Sequence, residues 1–294
     1  MATSTRVGAA QRSPLLIGTP LEVFADDVAA TLDTDPSIDM LVYPELHLFE
    51  VPDGLDDAAA EAARRASAVP IDSHFVAELG DIARARGVWL VPGSICERGP
   101  AGELFNTALV FAPDGSLKAY YRKIFPWRPV EPYDPGREFV VFDVDGVGRF
   151  GLSICYDAWF PELSRHLAWQ GARTVLNLVK TTTPDRAQEL VLVRANAIVN
   201  QAFVVSVNCA GPRGRGRSLV VGPEGETLAE SGDESETTLV TTIDAAHADA
   251  VRRDGTAGVT RVWHQFKPDD RPIELPLYGG RIEPDRWTPS NTTT

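Results

Sequence analysis

Three residue types able to do nucleophilic, acid–base and anion-stabilising chemistry stand at the ends of apolar runs in this chain. Cys155 closes Phe150-Gly-Leu-Ser-Ile-Cys155 and precedes Tyr156-Asp-Ala-Trp-Phe-Pro161, where a helix is expected to begin. A thiol at a strand-to-helix elbow is presented at the edge of a sheet, and backbone N–H groups there can face a developing oxyanion. That is a nucleophile's placement, although a cysteine on an apolar strand is more often packed as a small hydrophobe. Lys123 follows a strand-like stretch at 117–122, and Glu45 lies just beyond another at 39–43. Taken singly, the first reads as a solvated strand-end charge and the second as a loop carboxylate. The histidines, His47, His74, His166, His247 and His264, form no close pair at metal-ligand spacing, so no metal site is expected. His47 reads as a satisfied loop histidine, and the helix after Cys155 is expected to carry His166 away from the elbow.

These side chains need elements to hold them. Short apolar strands are expected at 6–11, 39–43, 88–95, 105–112, 117–122, 139–144, 149–155, 174–179, 203–208, 218–221 and near 238–243. Helices are expected at 22–32, at 72–86 with Gly87 as left-handed cap, and at 161–171 with Pro161 in the first turn. A further helix at 184–200 carries Leu190, Val193 and Ala197 at helical spacing. Pro113-Asp114-Gly115 and Pro223-Glu224-Gly225 supply turns. Strands alternating with helices and hairpins argue α/β layers. Periodicity dissolves after about residue 254, so one domain over 1–253 and an extended arm over 254–294 are expected.

The strings around the three residues resemble the nitrilase superfamily. They are Tyr43-Pro-Glu45-Leu, Tyr121-Arg-Lys123-Ile-Phe-Pro-Trp127 and Gly151-Leu-Ser-Ile-Cys155-Tyr-Asp-Ala-Trp-Phe-Pro-Glu162. Arg194-Ala-Asn196, Val207-Asn-Cys-Ala-Gly211 and Arg217-Ser218 with Gly222-Pro-Glu-Gly225 follow in the same order, so the resemblance covers roughly residues 5–245. It implies an α-β-β-α sandwich, a Glu45–Lys123–Cys155 triad and homodimers or higher oligomers packed through outer helices. In that triad the Cys155 thiolate attacks an amide carbonyl to form an acyl-thioester. Lys123 favours the thiolate and holds the oxyanion, and Glu45 moves the protons. The chemistry demands no cofactor.

Glu131 lies in Trp127-Arg-Pro-Val-Glu131-Pro-Tyr-Asp-Pro-Gly136, which is similar to the loop of aliphatic amidases and formamidases that carries a second glutamate orienting the lysine and substrate. Trp127, Tyr156 and Trp159, beside Lys123 and Cys155, are candidate pocket walls. Tyr156-Asp157 after the cysteine fits amide rather than nitrile chemistry. Carbamoyl-amino-acid hydrolases carry arginines shortly after the cysteine. Here Ala158 and Trp159 stand there, which favours a small neutral primary amide. Lys180, just past the strand at 174–179, is a candidate partner for an acidic substrate end. N-carbamoyl hydrolase and ω-amidase remain the alternatives, with an inactive scaffold as the non-enzymatic one.

Composition narrows the partners. The 294 residues carry a net charge of −13, which disfavours nucleic acid and anionic membrane, and Arg213-Gly-Arg-Gly-Arg217 reads as a loop. Three cysteines, Cys96, Cys155 and Cys209, fit a reducing cytoplasm. The N-terminus shows no leader pattern, and no apolar run reaches the ~20 residues that span a bilayer. A small-molecule amide is the expected partner.

Overall fold

The computed structural model describes residues 4–275 and 277–282. Two sheets stack face to face. The first is built from β1 (Ser4–Gln11), β2 (Met40–Val42), β3 (Trp89–Val91), β4 (Ser94–Arg98), β5 (Leu104–Phe111), β6 (Leu117–Arg122) and β13 (Thr237–Asp244). Its order is β13-β1-β2-β3-β5-β4, with β6 paired to β5. The second holds β7 (Val141–Val144), β8 (Gly148–Ile154), β9 (Thr174–Val179), β10 (Phe203–Asn208), β11 (Leu219–Val221) and β12 (Thr227–Glu230), in the order β12-β11-β10-β9-β8-β7. The central strands β1-β2-β3 and β8-β9-β10 run parallel, with antiparallel strands outside them.

Parallel strands are covered on both faces, which is why their sequences are nearly continuous apolar runs. Val7, Met40 and Val42 of one sheet meet Leu152, Leu176 and Val205 of the other in the inner core. On the outer side of the first sheet, α1 (Leu21–Thr34) and α3 (His74–Arg86) pack Phe24, Val28, Leu79 and Ala83 against Leu41, Leu90 and Leu109. On the outer side of the second, α4 (Pro161–Trp169) and α5 (Arg186–Asn200) contribute Leu163, Leu167, Leu190, Val193 and Ala197. The layers are therefore α-β-β-α.

Helix α3 starts where Ser73 accepts the Val76 N–H and ends at Gly87 with φ 63°. The stretch expected as one strand at 88–95 breaks at Pro92-Gly93 into β3 and β4. Gly93 has φ 93°, and a Cβ there would lie 2.0 Å from the Pro44 carbonyl oxygen, so only glycine lets this turn pass the loop that carries Glu45. The strand expected to end at Cys155 stops at Ile154; Cys155 opens a 3-10 turn, Cys155–Trp159. Three elements go beyond the sequence reading: α2 (Asp57–Ser67), the edge strand β12 and α6 (Ala245–Asp254). Helix α2 buries only Ala60, and its apolar side is built of alanines alone, a weak mark in the sequence.

Past α6 the first part of the arm returns to the body. Gln201 Nε2 donates to the Thr260 carbonyl at 2.7 Å, and Trp263 lies under the guanidinium groups of Arg165 and Arg252. The end of the expected arm, 283–294, lies outside the described residues. Among the described residues no helix is long and apolar enough to cross a membrane.

Candidate active site

Four loops at the carboxyl ends of β2, β6, β8 and β9 converge. The first leaves β2 through Tyr43, whose N–H donates to Val91 O at 2.8 Å, and places Glu45 almost wholly buried. Ser94 Oγ accepts the Leu46 N–H at 2.9 Å and ties the loop to β4. Lys123 follows β6 and is fully buried; its N–H donates to Asn106 O at 2.9 Å. A buried ammonium is costly unless it is paired and hydrogen-bonded. Lys123 Nζ donates to Glu45 Oε1 at 3.0 Å and to both oxygens of Glu131 at 2.8 and 2.9 Å. Glu131 is fixed in turn by the Trp127 N–H, which donates to Oε2 at 2.9 Å. Asn106 Nδ2 donates to Glu45 Oε1 at 2.7 Å, so one carboxylate oxygen receives two donors.

Burial works against charge on Lys123, yet Glu45 and then Glu131 override it and hold the ammonium well above its ordinary range. Burial raises the proton affinity of Glu45, Lys123 opposes this, and Glu131 adds to it. That suits a carboxylate to carry a proton.

Cys155 sits at the elbow with φ 47°, a left-handed backbone that a non-glycine residue holds only where its surroundings dictate it. The clamp is Asp157, fully buried, which accepts the N–H groups of Ile154 and Phe125 and the Tyr121 hydroxyl at 2.9, 2.9 and 2.8 Å. One carboxylate thus joins the Cys155 turn to the segment bearing Lys123. Burial pushes Asp157 up to about 6, against the pull of Lys123 and of those hydrogen bonds. Lys123 does favour the Cys155 thiolate, but it is outweighed. Burial, and then the charge of Glu45, raise the Cys155 thiol well above its usual 9, and Lys123 opposes them without prevailing because two carboxylates already share its charge. Glu45 and Lys123 are the charged groups that weigh most on this thiol, in opposite directions.

A cavity of about 420 Å³ is lined by Glu45, Glu131, Trp127 and Lys180 among others, but not by Lys123 or Cys155 themselves. Tyr156 and Trp159 do not line it. They ride on the 3-10 turn, where the Tyr156 ring packs against Trp159 at 6.1 Å and Phe160 at 5.4 Å. Lys180 reaches the cavity, but Glu50 already pairs it at 2.6 Å. His47 is not satisfied as expected: its buried Nδ1 lacks a partner among the described residues, and burial lowers the ring to about 3, leaving it neutral. His166 stacks on Phe139 with centroids 4.3 Å apart. Among the described residues no cluster of three His, Cys, Asp or Glu side chains could hold a metal ion. Asn106, Asp157, Glu50, Arg64 and Arg213 escaped sequence reasoning as site residues. For Asn106 there was a signal, since Asn106-Thr107 interrupts an otherwise apolar strand.

Comparison with known proteins shows the family. Residues 26–253 match the carbon-nitrogen hydrolase family model, and the chain belongs to that family. It is 31% identical over 214 residues to a formamidase of Pseudomonas syringae pv. syringae, a match covering 71% of this chain and 61% of the relative. The chain thus spans about three fifths of the length of that relative. Among solved structures, Saccharomyces cerevisiae Nit3, a member of branch 10 of the nitrilase superfamily, superposes with TM-score 0.74 at 26% identity, over 85% of this chain and 94% of Nit3. A mutant amidase of Nesterenkonia sp. AN1 superposes with TM-score 0.67 at 27% identity, over 85% of this chain and 94% of the amidase. That structure shows covalent addition of the acetamide moiety of fluoroacetamide at the active-site cysteine.

Proposed function

We propose that this protein hydrolyses a small primary amide to a carboxylic acid and ammonia through an acyl-thioester on Cys155. The observation that carries the reading is Lys123, buried and held by Glu45 and Glu131 in the same site as an elbow thiol. An amide has a weak electrophile and a poor leaving group, so attack, charge stabilisation and proton delivery must all be supplied. Glu45 takes the thiol proton as sulfur bonds to the carbonyl carbon. The oxygen becomes an oxyanion held by Lys123, a preorganised donor worth about 3–4 kcal/mol of barrier. Collapse breaks the C–N bond, and the proton on Glu45 goes to nitrogen, which leaves as ammonia. Glu45 then draws a proton from water, the hydroxide displaces sulfur, and the thiol recovers its proton. Relatives named formamidase and amidase support amides over nitriles.

The reading extends to the whole protein. The catalytic domain occupies 1–253 and the arm 254–294 serves an oligomer contact. Trp169 on α4 and Val191, Ile198 and Val199 on α5 are exposed apolar side chains on outer helices, which supports a homo-oligomer. Three free cysteines suit the cytoplasm. The test is mass spectrometry during turnover of butyramide and acetamide. An acyl adduct on Cys155 and no ammonia release by Cys155→Ala are expected; undiminished turnover in Cys155→Ala would end the reading.

A further inference from the structure

One buried ion pair plays no part in the mechanism above. Arg186 and Glu189, in the first turn of α5, are both buried, and Arg186 Nη1 stands 3.1 Å from Glu189 Oε2. The same oxygen accepts the Thr181 hydroxyl at 2.5 Å. Arg186 turns its other donors to the loop after β10, Nε to Gly216 O at 3.2 Å and Nη2 to Arg217 O at 2.8 Å. Burial works against charge on Arg186, and Glu189 opposes that effect. A buried ion pair is a weak source of stability, because desolvation offsets the attraction of its charges. What this pair sets is geometry: the start of α5 and the loops after β9 and β10 meet through it in one arrangement.

That arrangement borders Cys155. Strands β8 and β9 run parallel with Ile154 opposite Leu178, so the chain turns at Cys155 level with Val179, and Lys180-Thr181 follows on the neighbouring strand. Helix α5 packs on the turn Cys155–Trp159, where Asn196 Nδ2 donates to Ala158 O at 3.0 Å. Thr181 is held at every polar atom. Its N–H donates to Asn208 Oδ1 at 2.9 Å, its carbonyl accepts the Arg215 N–H at 2.9 Å, and its hydroxyl goes to Glu189. Among the charges that act on the Cys155 thiol, Glu45 and Lys123 come first, then Glu189, ahead of Glu131. Arg186 in turn feels the charge of Cys155.

We propose that Glu189, locked by Arg186, is a positioning residue for Cys155, fixing Thr181 alongside the nucleophile turn and setting a further negative charge near the sulfur. The inference rests on the amide-hydrolase reading and adds a residue to that site. The hold matters because attack and hydrolysis both need the sulfur at a fixed place, and a shift of about 1 Å can cost about a hundredfold in rate. The charge matters because it disfavours the thiolate, as Glu45 does, so the proton leaves sulfur when Glu45 takes it. The two duties have different chemical requirements. Holding the Thr181 hydroxyl needs only an acceptor oxygen, which glutamine also has, whereas the charge needs the carboxylate.

The test separates them in the full-length enzyme with butyramide as substrate. Thr181→Val removes the hydroxyl and leaves the ion pair whole, so kcat should fall about ten- to a hundredfold with KM little changed. Thr181→Ser keeps the hydroxyl and should restore most of that loss. Alkylation of Cys155 by iodoacetamide, read by mass spectrometry across pH, should inflect at the wild-type pH in both variants. Glu189→Gln keeps the acceptor and removes the charge, so its inflection should move down. Wild-type kcat in Thr181→Val, an equal loss in Thr181→Ser, or an unmoved inflection in Glu189→Gln overturns the inference and spares the hydrolase reading. Should Glu189→Gln not fold, the two Thr181 variants decide the matter alone. Absence of ammonia and of any Cys155 adduct in the wild type overturns the hydrolase reading and the inference with it.

Discussion

The Tyr121 hydroxyl donates to Asp157 Oδ2 at 2.8 Å, and through this contact the strand before Lys123 is fastened to the turn that begins with Cys155. The same hydroxyl accepts the Ile124 N–H at 3.2 Å, so removing it strands two partners in a buried place. Tyr121→Phe should cost about 1–2 kcal/mol in denaturant unfolding and lower kcat more than it raises KM. A variant with wild-type stability and kcat would show that the turn is held without it.

Asp157 has a pH signature of its own. Its carboxyl is raised in the fold from 3.8 to about 6, so the folded protein binds that proton more tightly than the unfolded chain. The contribution is present in full below pH 4 and is lost as pH rises through about 6, an effect of about 3 kcal/mol. Asp157→Asn cannot titrate. Its penalty relative to wild type should be largest below pH 4 and shrink as pH passes 6, as measured by urea unfolding across that range. A difference that does not change with pH would remove Asp157 from the account.

Glu131 gives both its oxygens to Lys123 from a loop position that is 17% exposed. Glu131→Gln keeps the shape and removes the charge, so the melting temperature should hold while kcat falls by about two powers of ten or more. Acylation by a reactive ester should suffer less, because it leans less on proton delivery to nitrogen. Retention of most amide turnover would reduce the site to three residues.

The resting thiol can be examined without substrate. Burial and then Glu45 hold Cys155 above its ordinary range, and Lys123 pulls the other way. The rate of Cys155 alkylation by iodoacetamide should therefore inflect above pH 9 in the wild type. Glu45→Gln removes an opposing charge and should move the inflection down; Lys123→Met removes the favouring charge and should move it up. Coincident profiles for all three proteins would mean that the thiol does not feel these neighbours.

Legibility in the sequence followed the range of the interaction. Glu45, Lys123 and Cys155 stood out only together, because the strings around them resemble those of the nitrilase superfamily in the same order, and the α/β layering followed from the alternation of strands and helices. The clamp on the Cys155 turn was not readable. Asp157 is two residues from Cys155, but its partners Tyr121 and Phe125 are more than thirty residues away. Lys180 was visible as a strand-end cation, whereas its compensation by Glu50 depends on two loops meeting across a cavity. Arg64 was hidden by its setting, since α2 offers only alanines on its apolar side and the pair Arg64-Arg65 in an alanine-rich run says nothing of the cavity that Arg64 lines. Gly93 read as part of a strand because the reason for it, the Pro44 carbonyl, comes from elsewhere in the chain.

Asn106 offers the closest test of how Glu45 is tuned. Its side chain is fully buried on β5, and Nδ2 donates to the same Glu45 oxygen that Lys123 holds, at 2.7 and 3.0 Å. That bond favours the charged carboxylate and so restrains the rise in proton affinity that burial and Glu131 impose. It also fixes the carboxylate's rotation, which decides whether the other oxygen can reach the thiol proton. Asn106→Ala removes the donor and leaves the backbone carbonyl free to accept the Lys123 N–H as before. Glu45 should then hold its proton to higher pH, so the acidic limb of the kcat/KM profile should move upward. At neutral pH kcat should fall by about ten- to a hundredfold, the range of a positioned proton carrier set out of line. Stability should drop by about 1–3 kcal/mol for the lost buried bond and the space left behind. A loss of stability with an unmoved acidic limb would make Asn106 a packing residue of β5 and leave the tuning of Glu45 to Lys123 and Glu131.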